Sequence, residues 1–377
     1  MLDGQDVGLH NVVELEPAPA GGQFLRRFPR PVRESLTPLG RMVAQEAAGV
    51  EIRFVTESRS FCLSLMSQPS VLAPYEQNGQ EVAIFRGGFL HSVQRITPGR
   101  ISHVQVINIG GTERVDELAP AAARTCGFAP QVWRVFLGRY PAAFLGLDTY
   151  GYPHRPPTPE EVPAQTWLAY GSSITNGAAA SIHHNAYIYH AARAAGLDVC
   201  NQGLSGSCHA EAAVAEYLAQ RPDWHLLTLE IGINMRGGFT PEAFRARVSA
   251  MVDTVCRAHP AHRVVLITIY PNGASPGLTA NPNAEATRRE AAINQILREI
   301  ADAGRYPNLT LIPGSDILEG GAGLSQDTVH PSDYGHAAMG RNLAAVIARG
   351  TPALNGPTLS PATPAMPIID PCRASTA

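Results

Sequence analysis

Apolar and polar positions alternate through the first 150 residues, and the period changes after them. Val50–Val55, Phe61–Leu65 and Ile101–Asn108 each alternate, which is the period of a half-buried strand, and Glu81–Phe85 is a further short strand-like run. Gly87-Gly88 and Gly110-Gly111 close two of these runs. Short strands at this spacing predict a β-sandwich of jelly-roll type over residues 1–150. Residues 151–164 are rich in proline. Proline restricts itself and its predecessor to extended backbone, so this stretch reads as a linker.

From residue 165 strands and helices alternate. Strands are predicted at Trp167–Tyr170, Asp198–Asn201, His225–Ile231, Arg263–Tyr270 and Asn308–Ile312. Helices are predicted near Asn185–Ala195, Ala210–Gln220, Pro241–Ala258, from about residue 285 to Ala303, and Ser332–Ala348. Thr240 is a suitable cap for the third helix, with Glu242 in its first turn. Alternation of this kind predicts a parallel sheet covered on both faces, spanning residues 165–349. The tail, 350–377, holds six prolines and no periodic pattern, and reads as a strap or a loose end.

Composition narrows the function more than the fold. The chain has 377 residues, net charge −3 and 45% hydrophobic residues. That suits two cores and gives no basic surface for nucleic acid or an anionic membrane. All 29 basic residues are arginines. Schiff-base, pyridoxal-phosphate and Walker-type lysines are thereby excluded. The six cysteines contain no C-x-x-C pair and no zinc spacing, so they read as small buried hydrophobes in a reduced compartment. The N-terminus shows no basic, apolar leader and no run is long enough to span a bilayer, so a cytoplasmic location is expected. Arg26, Arg27, Arg30 and Arg33 cluster, and a solvated edge is the expected reading. No cofactor or metal is implied. An exposed sheet edge in either half could pair two copies, but no interface is legible.

Four short blocks fall at or just after C-terminal strand ends: Gly171-Ser172-Ser173-Ile174-Thr175, Asn201–Gly206, Glu230–Asn234 and Asp327-Thr328-Val329-His330. Parallel strands point the same way, so these loops converge on one crevice. Ser173 is either a turn residue or a nucleophile. A serine hydroxyl needs a base, and His330 can be one, since histidine is the side chain whose unperturbed pKa lies near neutrality. Asp327 can hold the other imidazole nitrogen. The backbone N–H groups of Ser173 and Gly206 and the side-chain amide of Asn234 can supply an oxyanion hole. The α/β-hydrolase elbow G-x-S-x-G does not fit, because Thr175 stands two residues after Ser173.

These blocks resemble those of the SGNH hydrolases, the GDSL esterase/lipase superfamily, over about residues 165–349. The resemblance implies a flavodoxin-like three-layer α/β/α domain with a five-stranded parallel sheet. It implies catalytic Ser173, Asp327 and His330, with Ser173, Gly206 and Asn234 forming the oxyanion hole. One position departs: the family's usual acidic residue before the nucleophile is Ser172 here. The β-rich first half is similar to the jelly-roll domains that precede the catalytic domain in some carbohydrate esterases of this superfamily. The expectation is a serine esterase acting on short acyl, chiefly acetyl, esters of small molecules or oligosaccharides. The same residues would serve a sugar O-acyltransferase or a general short-chain esterase, and a non-catalytic carbohydrate-binding protein is the remaining alternative.

Other residues invite a role and are given a plainer one. His183-His184 reads as surface or pocket wall, His336 as packing and Trp224 as core. His209 faces substrate or starts a helix. Ser205 and Asn201 read as structural. Residues 176–184 and 271–284 are expected to wall the pocket.

Overall fold

A computed structural model describes residues 6–70, 72, 80–107 and 114–349. The segment Asn108–Gly111 and the tail from Gly350, both read above from sequence, lie outside the described residues.

The alternating first half forms two antiparallel sheets. One has the order β1 (Gly8–His10), β4 (Glu51–Thr56), β9 (Val132–Leu137), β6 (Glu81–Arg86), β7 (Phe89–Arg95). The other runs β2 (Glu14–Pro17), β3 (Gln23–Arg26), β10 (Ala142–Asp148), β5 (Phe61–Ser67), β8 (Ile101–Val106). Strand β5 shows why they stack. Phe61, Leu63 and Leu65 are buried while their neighbours are half-exposed. They meet Ile52, Phe54, Trp133 and Val135 of the facing sheet in one core, as the period-two pattern requires.

The proline-rich stretch is not a free extended linker. His154–Arg155 forms β11 and pairs with β4. Thr158 opens a short 3-10 turn in a capping box with Glu161, and Arg155 holds the Glu161 carboxylate at 2.8 Å. The β4 pairing and two bonds to Glu161, from Gln131 Nε2 to Oε1 and from the Ala129 N–H to the carbonyl, both at 2.9 Å, tie this run to the sandwich, which composition does not reveal.

The second half is a five-stranded parallel sheet in the order β13 (Asp198–Gly203), β12 (Thr166–Gly171), β14 (Leu226–Glu230), β15 (Arg263–Ile267), β16 (Leu309–Ile312). Successive side chains of β12 point to opposite faces. Leu168 and Tyr170 join the core under α6 (Ala212–Gln220), α7 (Pro241–Ala258) and α8 (Ala284–Asp302). Trp167 and Ala169 join the core under α5 (Tyr187–Ala195) and α9 (Asp333–Arg349). Helix α7 begins where sequence placed it, with the Thr240 hydroxyl accepting from the Ala243 N–H at 3.2 Å. This is the three-layer α/β/α arrangement, with the first strand next to the edge of the sheet.

The two halves share their cores. Two helices not expected from the alternating pattern, α1 (Arg30–Ser35) and α2 (Pro38–Val43), lie between β3 and β4. Phe28, Val32, Leu36 and Val43 pack into the same cluster as Tyr170, Val214 and Tyr217. The local signal was available: Thr37 caps α2 and Pro38 occupies its first turn, a favoured pairing.

The arginine cluster also differs from expectation. Arg30 is exposed, but Arg26, Arg27 and Arg33 are buried. Arg26 and Arg33 bond Glu16 at 2.9 and 3.1 Å, and Arg33 bonds Glu14 at 3.0 Å. Arg27 donates to the carbonyls of Glu46, Asn201 and Gly203. Buried charge is tolerated when every donor finds an acceptor, and these acceptors come from other elements.

Candidate active site

Strand β12 ends at Gly171, and Ser172 caps the four-residue helix α4 (Ser173–Asn176). The Ser172 hydroxyl accepts from the Ile174 N–H at 3.2 Å. Gly177 closes the helix in the left-handed conformation at φ 91°. Ser173 is thereby the first helical residue, half-buried at the C-terminal end of the sheet.

The fourth block reaches it from the loop before α9. The Ser173 Oγ lies 2.7 Å from His330 Nε2. His330 Nδ1 lies 2.6 Å from Asp327 Oδ2. The other carboxylate oxygen, Oδ1, accepts from the N–H groups of Val329 and His330 and from the Ser325 hydroxyl, at 2.8, 2.9 and 2.9 Å. Partial burial opposes the Asp327 charge, but these bonds and the His330 ring hold its carboxyl down at about 2. The carboxylate is therefore ionised wherever the imidazole could act as a base, and it fixes Nδ1 as the protonated nitrogen. The loop is braced by Ser325 N–H to His330 O at 2.7 Å and by Gly273 N–H to Thr328 O at 2.7 Å. The second contact brings the expected pocket wall, 271–284, against the fourth block.

Blocks two and three flank the serine. Gly171 pairs with Gly203 on β13 and with Glu230 on β14. Gly206 adopts φ 68°, and a Cβ there would stand 2.9 Å from Leu39 Cδ2. Glycine is favoured by both conformation and space. Among the described residues no acceptor engages the N–H groups of Ser173 and Gly206. The Asn234 carbonyl Oδ1 accepts from the Cys208 N–H at 3.2 Å, which turns the amide nitrogen of that side chain away from Cys208. The geometry can thus deliver a nucleophile and a base with its orienter, with blocks two and three on the strands either side of the serine.

One residue of this site was missed from sequence. Glu230, at the end of β14, is buried beneath the nucleophile turn. Its Oε2 accepts from the Ser172 N–H and Ser172 Oγ–H, both at 2.7 Å, and from Thr175 Oγ–H at 3.0 Å. A Cβ on Gly171 would lie 2.6 Å from this oxygen. Burial pushes the Glu230 carboxyl up to about 7, against the hydrogen bonds that favour its charge. The acidic group absent at Ser172 is present, carried by the neighbouring strand. The sequence signal was the carboxylate opening block three, but only strand pairing shows where it points.

The remaining histidines lie away from the triad's hydrogen bonds. His183 is buried against Phe136, with Nε2 at 3.0 Å from the Tyr189 hydroxyl. His184 meets Phe85 edge-on. Both fill the seam between sandwich and α5. His336 is core, bonded to Ala178 O at 2.9 Å and to the Tyr187 N–H at 3.2 Å. His209 sits beside Phe239 and 3.7 Å from Glu211. Trp224 is core and donates to Leu218 O at 3.2 Å. Asn201 bonds Tyr189 and the Gly203 N–H. A cavity lined by Glu51, Phe85, Arg134, Phe136, His184 and Asp198 lies in the same seam, remote from Ser173. Within it Glu51 is ion-paired with Arg134 and Arg53, and Asp198 with Arg53. Among the described residues no group of histidine, cysteine, aspartate or glutamate could hold a metal ion.

A parallel sheet with this strand order, ending in these four blocks, defines an SGNH-type serine esterase as the class. Residues 169–338 match the GDSL-like lipase/acylhydrolase family, and this part of the chain is a domain of that family. No curated protein matches the sequence. Among solved structures, the chain is similar to the salicylyl-acyltransferase SsfX3 from a tetracycline biosynthetic pathway, with TM-score 0.75 and 18% identity over 91% of this chain and 94% of that one. It is similar to a protein described as a GDSL-like lipase from Bacteroides ovatus, with TM-score 0.66 and 21% identity over 91% and 98%. It is also similar to a family two carbohydrate esterase from Clostridium thermocellum, solved with cellohexaose, with TM-score 0.57 and 12% identity over 91% and 98%. At these identities the likeness is one of fold, and it extends across both halves of the chain.

Proposed function

We propose that the protein hydrolyses short acyl esters, acetyl groups on carbohydrates foremost, through an acyl-enzyme on Ser173. The observation that carries this is the unbroken line from Ser173 Oγ through His330 to Asp327, at 2.7 and 2.6 Å. His330 Nε2 takes the hydroxyl proton as Oγ attacks the ester carbonyl. Negative charge then develops on the carbonyl oxygen, where the N–H groups of Ser173 and Gly206 and the amide of Asn234 receive it. His330 returns the proton to the departing alcohol. Water, activated by the same nitrogen, releases the acid and restores the serine. Asp327 holds the imidazolium that forms in each half-reaction.

The carbohydrate assignment is supported by the two-part architecture shared with the family two esterase. A second reading is acyl transfer to an alcohol. It is supported by the greater fold overlap with the salicylyl-acyltransferase, and it differs only in which hydroxyl accepts the acyl group. The test is a panel of p-nitrophenyl esters of rising acyl length with wild type and Ser173→Ala. Wild type is expected to prefer acetate and Ser173→Ala to lose turnover. No wild-type turnover, or turnover that survives in the variant, refutes the esterase reading. Acetylated oligosaccharide with and without an acceptor sugar then separates hydrolysis from transfer by product.

A further inference from the structure

Block two, which carries the Gly206 donor, is held almost residue by residue by the N-terminal half of the chain. Asn11 Nδ2 donates to Asn201 O at 3.2 Å and Gln202 Nε2 donates to Asn11 Oδ1 at 2.7 Å. Arg27, fully buried, donates to Asn201 O at 2.8 Å and Gly203 O at 3.3 Å. Arg139, in the turn after β9, donates to the Ser205 hydroxyl at 3.0 Å. The Thr37 hydroxyl lies 3.2 Å from that of Ser207. Leu39 of α2 packs against Gly206.

The same half also reaches the nucleophile helix. Asn176 Nδ2, three residues after Ser173, donates to Ser205 Oγ at 2.9 Å and to Glu46 Oε2 at 3.3 Å. Glu46 is fully buried and its other oxygen accepts from Ser70 at 2.8 Å. Ser205 is the meeting point. Its hydroxyl oxygen receives Arg139 from the sandwich and Asn176 from α4, one residue before Gly206.

Catalytic donors must be fixed before charge develops, because a donor that has to move into place loses much of its advantage. Gly206 is itself exposed and at positive φ, so its N–H is fixed by the buried residues on either side of it, Ser205 and Ser207. We infer that the N-terminal sandwich is the positioning half of the oxyanion hole, with Arg139, through Ser205 and Asn176, setting Gly206 relative to Ser173. In this role it is not a detachable carbohydrate-binding module. Arg139 and Ser205 are positioning residues, since neither is required to touch substrate.

The inference rests on the esterase reading and is tested in the full chain with Arg139→Met, Arg139→Lys, Ser205→Ala and the Arg139→Met/Ser205→Ala double variant. Three quantities are read with p-nitrophenyl acetate: kcat, KM, and the inhibition constant of an alkyl boronic acid, whose serine adduct is tetrahedral. Arg139→Met is expected to lower kcat about 10- to 100-fold, the range for weakening one oxyanion donor without deleting it. KM should stay within about threefold and boronate inhibition should weaken in parallel with kcat. Arg139→Lys, which keeps a donor, should recover part of the loss. The double variant should cost no more than Ser205→Ala alone, because Arg139 reaches block two through the hydroxyl that this change removes. Variants that leave kcat and boronate affinity unchanged overturn this inference alone. So do losses that appear only as a smaller active fraction by serine titration. Absence of turnover in wild type overturns the esterase reading and this inference with it. Should Arg139→Met not fold, by circular dichroism, Ser205→Ala carries the same comparison, since it deletes one oxygen and no charge.

Discussion

Replacing Glu230 with glutamine should change the pH dependence of stability more than the activity. Burial pushes the carboxyl from an ordinary 4.5 up to about 7. Below pH 4.5 the group is protonated in both folded and unfolded chains and costs the fold nothing. Between 4.5 and 7 the unfolded chain releases the proton while the fold retains it, so stability falls as pH rises. Above 7 the ionised carboxylate imposes its full cost. At about 1.4 kcal/mol per pH unit, that cost is about 3 kcal/mol. The histidines His184, His262 and His336, each held down at about 4 by burial, act in the opposite sense over the same range. They are present in both proteins and cancel in the difference. Urea unfolding of wild type and Glu230→Gln from about pH 4.5 to about pH 8 is the assay. The variant should gain about 3 kcal/mol on wild type across that window. The glutamine oxygen can still accept from Ser172 and Thr175, so kcat should remain within about threefold. Glu230→Leu removes the acceptor, orphans a buried Ser172 N–H at about 1–3 kcal/mol, and should lower kcat as the nucleophile turn loosens. A stability difference that does not change with pH would show that the three hydrogen bonds outweigh burial, and would refute this account of Glu230.

Three further outcomes follow from the site. Asp327→Asn should cut kcat by about 10²- to 10⁴-fold, since the imidazole loses its orienter, as measured by steady-state kinetics. The depressed Asp327 carboxyl also stabilises the fold above about pH 4 and loses that contribution as pH falls toward 2. The acid limb of thermal unfolding should therefore flatten in Asp327→Asn. Asn234→Ala removes a proposed oxyanion donor and frees the Cys208 N–H that its carbonyl held. It should reduce kcat about 10²- to 10³-fold with little change in KM. Gly206→Ala forces a side chain into φ 68° and toward Leu39. Its conformational strain is about 1 kcal/mol, and the activity loss should exceed the fall in melting temperature, because the donor itself is displaced.

Much of the architecture was legible along the chain because its determinants are local. Helix α7 starts at Thr240 because a hydroxyl caps the next turn. Strand β5 alternates because one face is buried. The four blocks could be ordered on one sheet edge because parallel strands share a direction. Their pairing into a line of hydrogen bonds required the loop before α9 to fold back over Ser173, which residue spacing only suggests. Helices α1 and α2 were overlooked because each is six residues long and sits among strand-like patterns, even though Thr37-Pro38 marked a helix start.

What only the tertiary structure decided was the fate of the charges. Arg27 and Arg33 looked like a solvated edge, because a run of arginines carries no record of which carbonyls and carboxylates will surround it. Their acceptors are Glu14, Glu16, Glu46 and the backbone of block two. Ser172 left a missing acid unexplained, because the replacement carboxylate stands 58 residues away and arrives through strand pairing. The sequence by itself determined the strands and helices of the second half, their order and the chemical groups at the strand ends. Their environment is a nonlocal property. Burial, pairing and the resulting shifts in acidity exist only once distant segments meet.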